Sequence, residues 1–317
     1  MEYVCGDAAL QFAYTLIPRL PALDHRYFYT SNISLKREFL VAAADAGIRF
    51  DPCFRYAAFE DSEFAFRLTP RGLKILYVES ARAIHDHWMD LDSFTSREHR
   101  AGQMAVVFYR KHPGEDEQLQ VQWLAELNAS VALTAGHDEV LQRLETFDQQ
   151  TDRLLRALAH ALEALLFIDP ARQGTAPLAL SRDRVQPVLH GVYRVIFDVE
   201  RTRGKVQEWY DGVDPSQAHI AMLLATFQRK IEFLKSTGVE ISSPRIEAGL
   251  PSWDWARLPR RGRLFERALR RLMASPRVLS RATAVDRQLQ AYLQRTDRPH
   301  WLQRYRRLRQ SLRAILV

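Results

Sequence analysis

Residues 27–87 read YFYTSNISLKREFLVAAADAGIRFDPCFRYAAFEDSEFAFRLTPRGLKILYVESARAIHDH, and this stretch decides the fold of the chain. At its centre, residues 59–63 read FEDSE, which places three carboxylates and one hydroxyl within four positions. Apolar residues at helical spacing follow this acidic group. The pattern therefore predicts a helix that begins at Glu60 or Asp61 and ends at Leu68.

The flanks of this helix carry the signals of a mixed α/β segment. Aromatic and β-branched residues at 27–30 predict a strand, and the apolar run at 73–78 predicts a second, buried strand. Ser34 is expected to cap a helix that runs through Ala44, with Gly47 just past its end. The fold class expected for the first third of the chain is therefore α/β.

Composition excludes several protein classes. The chain has 317 residues, of which 47% are hydrophobic and 26% charged, the balance of a folded soluble protein. No run of 18 apolar residues occurs, and the most apolar stretch, residues 154–168, is interrupted by charged side chains. The first residues lack the pattern of a secretory signal. Two cysteines, Cys5 and Cys53, do not suffice for a disulfide framework or an unaided zinc site, so a reducing cytoplasm is expected.

The net charge of +7 is distributed unevenly. Residues 241–317 contain 18 arginines and five acidic residues, a balance of +13, which leaves −6 for residues 1–240. Amphipathic helices rich in arginine suit anionic surfaces, so the 258–317 tail is expected to contact an anionic membrane surface or an acidic partner. The 39 arginines against six lysines also fit a general arginine bias with a solvated basic face.

Beyond residue 116 the sequence predicts helices almost throughout. Leu154, Leu158, Leu162 and Leu165 recur at helical spacing, and residues 169–187 read as a linker rich in proline. Asp214-Pro215-Ser216-Gln217 is a typical helix start. We therefore expect three segments, at 1–115, 116–240 and 241–317, and a helix-dominated chain overall.

Taken in order, the motifs of the first segment resemble the second half of a GT-A glycosyltransferase domain of the family 2 type. They are Ser31-Asn32-x-Ser34, Gly47, Phe50-Asp51, Glu60-Asp61, Arg67-Leu68, Gly72 and His85, and the resemblance covers about residues 27–112. It implies transfer of a sugar from a nucleotide sugar to a saccharide or lipid-linked acceptor, as in polysaccharide biosynthesis. The enzymes of that process often work at a membrane, so a peripheral position at the inner membrane face is expected.

The same resemblance assigns roles to individual residues. Asp61, with Glu60 as its neighbour, would be the general base of an inverting displacement. Asn32, Ser34 and Glu63 would bind the acceptor or the sugar. His85 and His87 would help to hold the divalent metal, Mg²⁺ or Mn²⁺, that binds the diphosphate.

The sequence departs from the family on the donor side. A GT-A domain begins with a nucleotide-binding unit that ends in a strand and Asp-x-Asp, but only about 30 residues precede Ser31 here. The Asp-x-Asp at residues 90–92 follows the histidines and reads as a helix start. The chain is therefore expected to be either a truncated transferase or a remnant, and the metal is expected only where the donor half is present.

Other interpretations remain open for each element. Asp61 alone would be a helix cap, Asn32 and Ser34 a polar turn with an N-cap, and the two histidines a loop. Arg67 is expected to pair with Glu63 one helical turn away. The alternative function is a non-catalytic helical interaction protein or peripheral membrane scaffold that carries a degenerate transferase remnant. Nucleic-acid binding ranks below both, because no known binding module is found.

Overall fold

The computed structural model describes residues 17, 20–84, 89–115, 119–166, 182–236, 245–247 and 250–252. Across these residues the fold is dominated by seven α-helices, as the sequence predicts. They are α1 (Arg37–Asp45), α2 (Glu60–Leu68), α3 (Leu91–Lys111), α4 (Trp123–Thr134), α5 (Asp138–Leu166), α6 (Arg182–Trp209) and α7 (Pro215–Ser236). Strand β1 (Arg245–Glu247) pairs antiparallel with β2 (Leu250–Ser252).

Helix starts follow the local capping signals. Helix α3 begins at the predicted Asp-x-Asp, where Asp90 accepts the N–H of Ser93 and the Ser93 hydroxyl in turn accepts the N–H of Asp90. Helix α7 begins at Pro215, and the Asp214 carboxylate accepts the N–H of Ser216 at 2.9 Å. Since a cap depends on residues within one turn, these starts can be predicted from sequence.

Both strand predictions in the first segment are wrong. Residues 27–30 lie in and between two 3₁₀ turns, His25–Tyr27 and Thr30–Asn32, and Phe28 is buried. In the predicted strand at 73–78, Ile75 alone forms a β-bridge, with Leu23. Leu76, Tyr77 and Val78 are 67%, 47% and 55% exposed. A strand needs a paired neighbour, and the described residues supply one only at Ile75.

Contacts divide the chain into two compact units. The first comprises Met1–Glu145 and Arg194–Phe227, and the second comprises Thr146–Tyr193 and Gln228–Val317. The predicted segments at 1–115, 116–240 and 241–317 stay a prediction. Within the second unit, Lys230 is 1% exposed, and its ammonium lies 2.6 Å from a carboxylate oxygen of Asp148 and 2.6 Å from one of Asp152.

Two apolar clusters form among the described residues of the first unit. One forms around α1 and α2 and includes Phe28, Phe64, Leu68 and Ile75. The other joins α3, α4, α6 and α7, and its buried members include Met104, Phe108, Leu124, Val206 and Ala221. The aromatic rings of Phe59, just before α2, and of Phe66, within α2, pack against this second cluster.

Helices α3 and α6 approach so closely that their backbones touch. A Cβ atom at Gly204 would lie 1.8 Å from the carbonyl oxygen of His99, and one at Gly102 would lie 2.0 Å from that of Arg201. Glycine is required at both positions for this crossing. Polar pairs flank it: Arg201 pairs with the buried Glu98, and His99 pairs with Glu200.

Several predictions fall wholly or partly outside the described residues. The prediction of a linker at 169–187 is wrong at residues 182–187, because these residues belong to α6, with Pro187 inside the helix. Residues 167–181 lie outside the described residues. His85, His87 and the basic tail at 258–317 also lie outside it. Of the helices that are described, none has the length and apolarity needed to span a bilayer.

Candidate functional site

The Glu60–Asp61 pair occupies the first turn of α2, directly after a strained residue. Phe59 has φ 65° and ψ −8°, a left-handed conformation that costs a bulky residue roughly 1–3 kcal/mol. Its ring packs edge-on against Phe108 of α3, with 6.3 Å between the ring centroids. Such outliers are held in place by surrounding structure and cluster at functional sites. The turn at Phe59 fixes the positions of Glu60 and Asp61, which follow it directly.

Asp61 is partly buried at this turn. One carboxylate oxygen accepts the N–H of Ser62 at 2.8 Å, and the other lies 3.4 Å from the N–H of Thr30. Burial raises the pKa of Asp61, and the N–H groups of Ser62 and Thr30 lower it in part. Asp61 is the second residue of α2, and the N-cap position is taken by Phe59, which makes no side-chain cap bond. Asp61 is therefore not at the N-cap position, but its carboxylate does accept an N–H of the first helical turn, so the interpretation of Asp61 as a residue that stabilises the helix start stays open.

Glu60 shares the environment of Asp61. Burial raises the pKa of the Glu60 carboxyl, the charge of Asp61 raises it further, and Arg97 acts in the opposite sense. Its Oε2 atom is closed off from solvent and has no hydrogen-bond partner among the described residues. Two neighbouring carboxyls therefore bind protons more tightly than usual, the property expected of an acid–base site.

The structure brings the Thr30 turn next to Asp61. Asn32 lies on this turn, and its side-chain amide donates to the carbonyl of Ala81 at 2.9 Å, which holds the loop after residue 78 beside it. Ser34 is exposed and does not cap α1, because α1 begins at Arg37 with Lys36 at the N-cap. The capping prediction for Ser34 is wrong. Sugar-binding roles for Asn32 and Ser34 stay a prediction.

Glu63 has a different environment from the other two acidic residues. It is 1% exposed, and its carboxylate accepts two hydrogen bonds from Arg67, at 2.7 and 2.8 Å. The ring Nε2 of His112 lies 2.9 Å from the same carboxylate. The predicted Glu63–Arg67 pair is confirmed. With its oxygens engaged in this way, Glu63 ties α2 to the C-terminal end of α3; a sugar-binding role for it stays a prediction.

Two residues at the end of α3 support this region and were not anticipated from sequence. Lys111 lies 2.7 Å from Asp51, and this contact, with the N–H of Cys53, lowers the pKa of Asp51 to about 2. His112 packs between Phe66 and Phe108, at 4.7 and 5.4 Å between ring centroids. The sequence signal for Lys111 and His112 was the basic cluster at the end of the predicted helix, because cations are favoured at the C-terminal end of a helix.

The described residues do not test the prediction of a metal site at His85 and His87. His85 and His87 lie outside them, and within the described ranges no three His, Cys, Asp or Glu side chains group as a metal site would require. The described donor set at the site is the pair of carboxylates.

Comparisons with known proteins give no match: no protein-family model, no curated protein and no solved structure matches this chain.

Proposed function

We propose that this chain acts in sugar transfer from a nucleotide sugar, with Asp61 as the general base toward an acceptor hydroxyl. The observation that carries the proposal is the partly buried Asp61 carboxylate, which directly follows the strained turn at Phe59 and lies beside the Thr30 turn. The order of motifs from Asn32 to Arg67 supports it. The resemblance of about residues 27–112 to the second half of a GT-A domain belongs to the same proposal.

The reaction follows from the position of the carboxylate. The ionised Asp61 accepts the proton of the acceptor hydroxyl as that oxygen attacks the anomeric carbon of the donor sugar. The bond from the anomeric carbon to the phosphate oxygen breaks, the nucleoside diphosphate leaves with the bonding pair, and the configuration inverts. A carboxylate with a raised pKa is a stronger base near neutral pH. Partial burial raises the pKa of Glu60, and the charge of an ionised Asp61 raises it further.

The test is an Asp61→Asn substitution in the full chain. UDP-, GDP- and TDP-sugars are supplied with Mg²⁺ or Mn²⁺ and an acceptor, and release of nucleoside diphosphate is measured. Removal of a general base slows a reaction by roughly 10²–10⁴-fold, so the variant should lose transfer by about that factor. Its circular dichroism should match the wild type. Glu38→Gln, on the exposed face of α1, is the control and should keep full activity.

A second candidate is a non-catalytic helical interaction protein. It is favoured by the dominance of helices and by exposed apolar residues at 76–78, where a strand was predicted. A binding titration separates the two functions. Saturable binding of any of the nucleotide sugars at micromolar concentration supports the transferase, and absence of binding for the whole set supports the interaction protein.

A further inference from the structure

Three exposed arginines, Arg55, Arg100 and Arg110, form an arginine patch around the ring of Tyr56 in the first unit. Arg55 and Tyr56 precede α2, whereas Arg100 and Arg110 lie on α3. The ring of Tyr56 packs against the apolar cluster that joins α3, α4, α6 and α7. The patch is therefore built on a packed part of the fold.

The ring of Tyr56 orders two of the guanidinium groups. The guanidinium carbon of Arg55 lies 5.9 Å from the ring centroid, and that of Arg100 lies 5.3 Å from it. A cation over an aromatic face is attracted by the negative potential of that face. Both charges are thus held in place before a ligand arrives, which lowers the entropic cost of binding one.

One carboxylate serves the whole patch. The buried Glu208 accepts a hydrogen bond from Arg55 at 2.6 Å, and its other oxygen lies 3.8 Å from Arg110. Arg110 also donates to the carbonyl groups of Glu208 and Trp209, at the C-terminal end of α6. Arg100 pairs with no carboxylate in the described part of the chain. Three guanidinium groups against one carboxylate leave two positive charges in excess.

These charges remain accessible. The side chains of Arg55 and Arg110 are 52% and 45% exposed although both contact Glu208. A guanidinium has five N–H donors in a planar fork that matches a carboxylate. The patch therefore has donors left for a further anionic partner.

The extent of the patch indicates the kind of partner. Arg100 and Arg110 are ten residues apart on α3, which corresponds to about 15 Å along the helix axis. A single phosphate or carboxylate group does not span that distance. About five residues of an extended chain do, at roughly 3.3 Å per residue.

The arrangement at Tyr56 favours carboxylates over a nucleic-acid strand. Proteins that bind single strands offer aromatic faces on which the bases stack. At Tyr56 two guanidinium groups lie against the ring, so it does not serve as such a platform. Carboxylates need only the guanidinium groups themselves.

We propose that the arginine patch binds an acidic segment of a partner protein, about five residues long, through its aspartate or glutamate side chains. The interaction does not depend on the proposed sugar transfer. It gives the first unit an electrostatic docking surface of its own, in addition to the basic residues of the tail.

The test uses the full chain and an octa-glutamate peptide at low salt. Because residues 241–317 carry a balance of +13 and also attract this peptide, the readout must be local to the patch. Phenylglyoxal modifies exposed arginines, and mass spectrometry locates the modified residues. The peptide should protect Arg100 and Arg110 in a saturable way, and octa-serine should protect neither.

Two arginine variants form a matched pair. An exposed ion pair contributes up to roughly fivefold in affinity, so Arg100→Gln should raise the peptide concentration needed to protect Arg110 by about threefold. Arg153→Gln removes an exposed charge from α5 and should leave that concentration unchanged. Circular dichroism should show the wild-type fold in both variants.

Substitutions of Tyr56 test the ordering of the charges. Tyr56→Phe keeps the aromatic face and should protect Arg110 at the wild-type peptide concentration. Tyr56→Leu keeps an apolar side chain without that face, so about threefold more peptide should be needed.

Three results would overturn the proposal. The first is that Arg100 and Arg110 stay reactive at saturating peptide, and the second is an unchanged protection of Arg110 in Arg100→Gln. The third is protection by octa-uridylate or by inorganic phosphate at concentrations as low as those of the peptide. Such a result would assign the patch to nucleic acid or to single anions.

Discussion

At the scale of single residues, the acidic group at the start of α2 divides into two kinds of carboxylate. Asp61 and Glu60 are partly buried, and their pKa values are raised. Glu63, two residues later, is fully buried and held by Arg67 and His112. All three were candidates because of the resemblance to the transferase family. The i,i+4 spacing predicted the pairing of Glu63 with Arg67, but not its contact with His112, which lies 49 positions away.

Removing Glu63 tests its structural role. Glu63→Ala leaves Arg67 and His112 without their partner in a buried setting, so the free energy of unfolding should fall by roughly 3 kcal/mol or more. Glu139→Ala is the matched control, because Glu139 and Arg143 also form an i,i+4 pair, but at the surface. That change should stay within about 0.5 kcal/mol. Equal losses in urea denaturation of the two variants would contradict the account.

At the scale of elements, the contact of α3 with α6 organises the first unit. The two mid-helix glycines, Gly102 and Gly204, allow the backbones to touch, and Phe94 packs on Phe197 at 4.6 Å between centroids. A glycine inside a predicted helix is itself a sequence signal for close packing. The partner helix could not be predicted, because the two positions are about 100 residues apart and no local pattern links them.

Alanine substitutions on α6 test this crossing. Gly204→Ala places a methyl group against the His99 carbonyl, so α3 and α6 must separate and the protein should lose about 2 kcal/mol or more. Gly191 lies on the same helix with nothing within 4 Å of its added Cβ. Gly191→Ala should be neutral or stabilise by up to about 1 kcal/mol. The crossing is refuted if thermal denaturation shows Gly204→Ala to be as well tolerated as Gly191→Ala.

The same contact should respond to pH through His99. Its Nδ1 lies 3.4 Å from the Glu200 carboxylate and its Nε2 lies 2.6 Å from the Gln207 side-chain oxygen, so both ring nitrogens face acceptors. Glu200 is the main cause that raises the pKa of His99, with Gln207 adding and Arg203 opposing. A histidine whose pKa is higher in the folded than in the unfolded protein stabilises the fold at pH values below its unfolded-state pKa, about 6.5. This contribution to stability is lost as the pH rises through the folded-state pKa.

We therefore expect the stability difference between wild type and His99→Gln to be largest near pH 6 and to shrink toward about pH 8.5. Urea denaturation at the two pH values measures it. His219→Gln, which removes an exposed pair with Glu145, is the control and should change stability by less than about 0.5 kcal/mol at either pH. A difference that grows with pH would contradict the assignment.

At the scale of the whole molecule, the helix content could be predicted and the arrangement could not. Helices such as α2, α3 and α7 follow from caps and spacing within a few residues. Strands at 27–30 and 73–78 were expected from composition, but strand formation depends on a distant partner. Lys230, in the second unit, is a buried charge that pairs with Asp148 and Asp152. No local sequence pattern predicts such a pair. The start of α2 at Glu60 could be predicted because its signal is local, whereas the roles of Glu60 and Asp61 come from the family resemblance and stay a prediction.

The measurement that tests the central claim most directly is the pH dependence of sugar transfer by the full chain, in wild type and in Asp61→Asn. A base must be ionised, and burial raises the pKa of Asp61 above 3.8. The wild-type rate should therefore fall as pH drops through that raised value, and Asp61→Asn should be at least about 100-fold slower at every pH, without the step. An Asp61→Asn enzyme with the wild-type rate and the same profile would contradict Asp61 as the base.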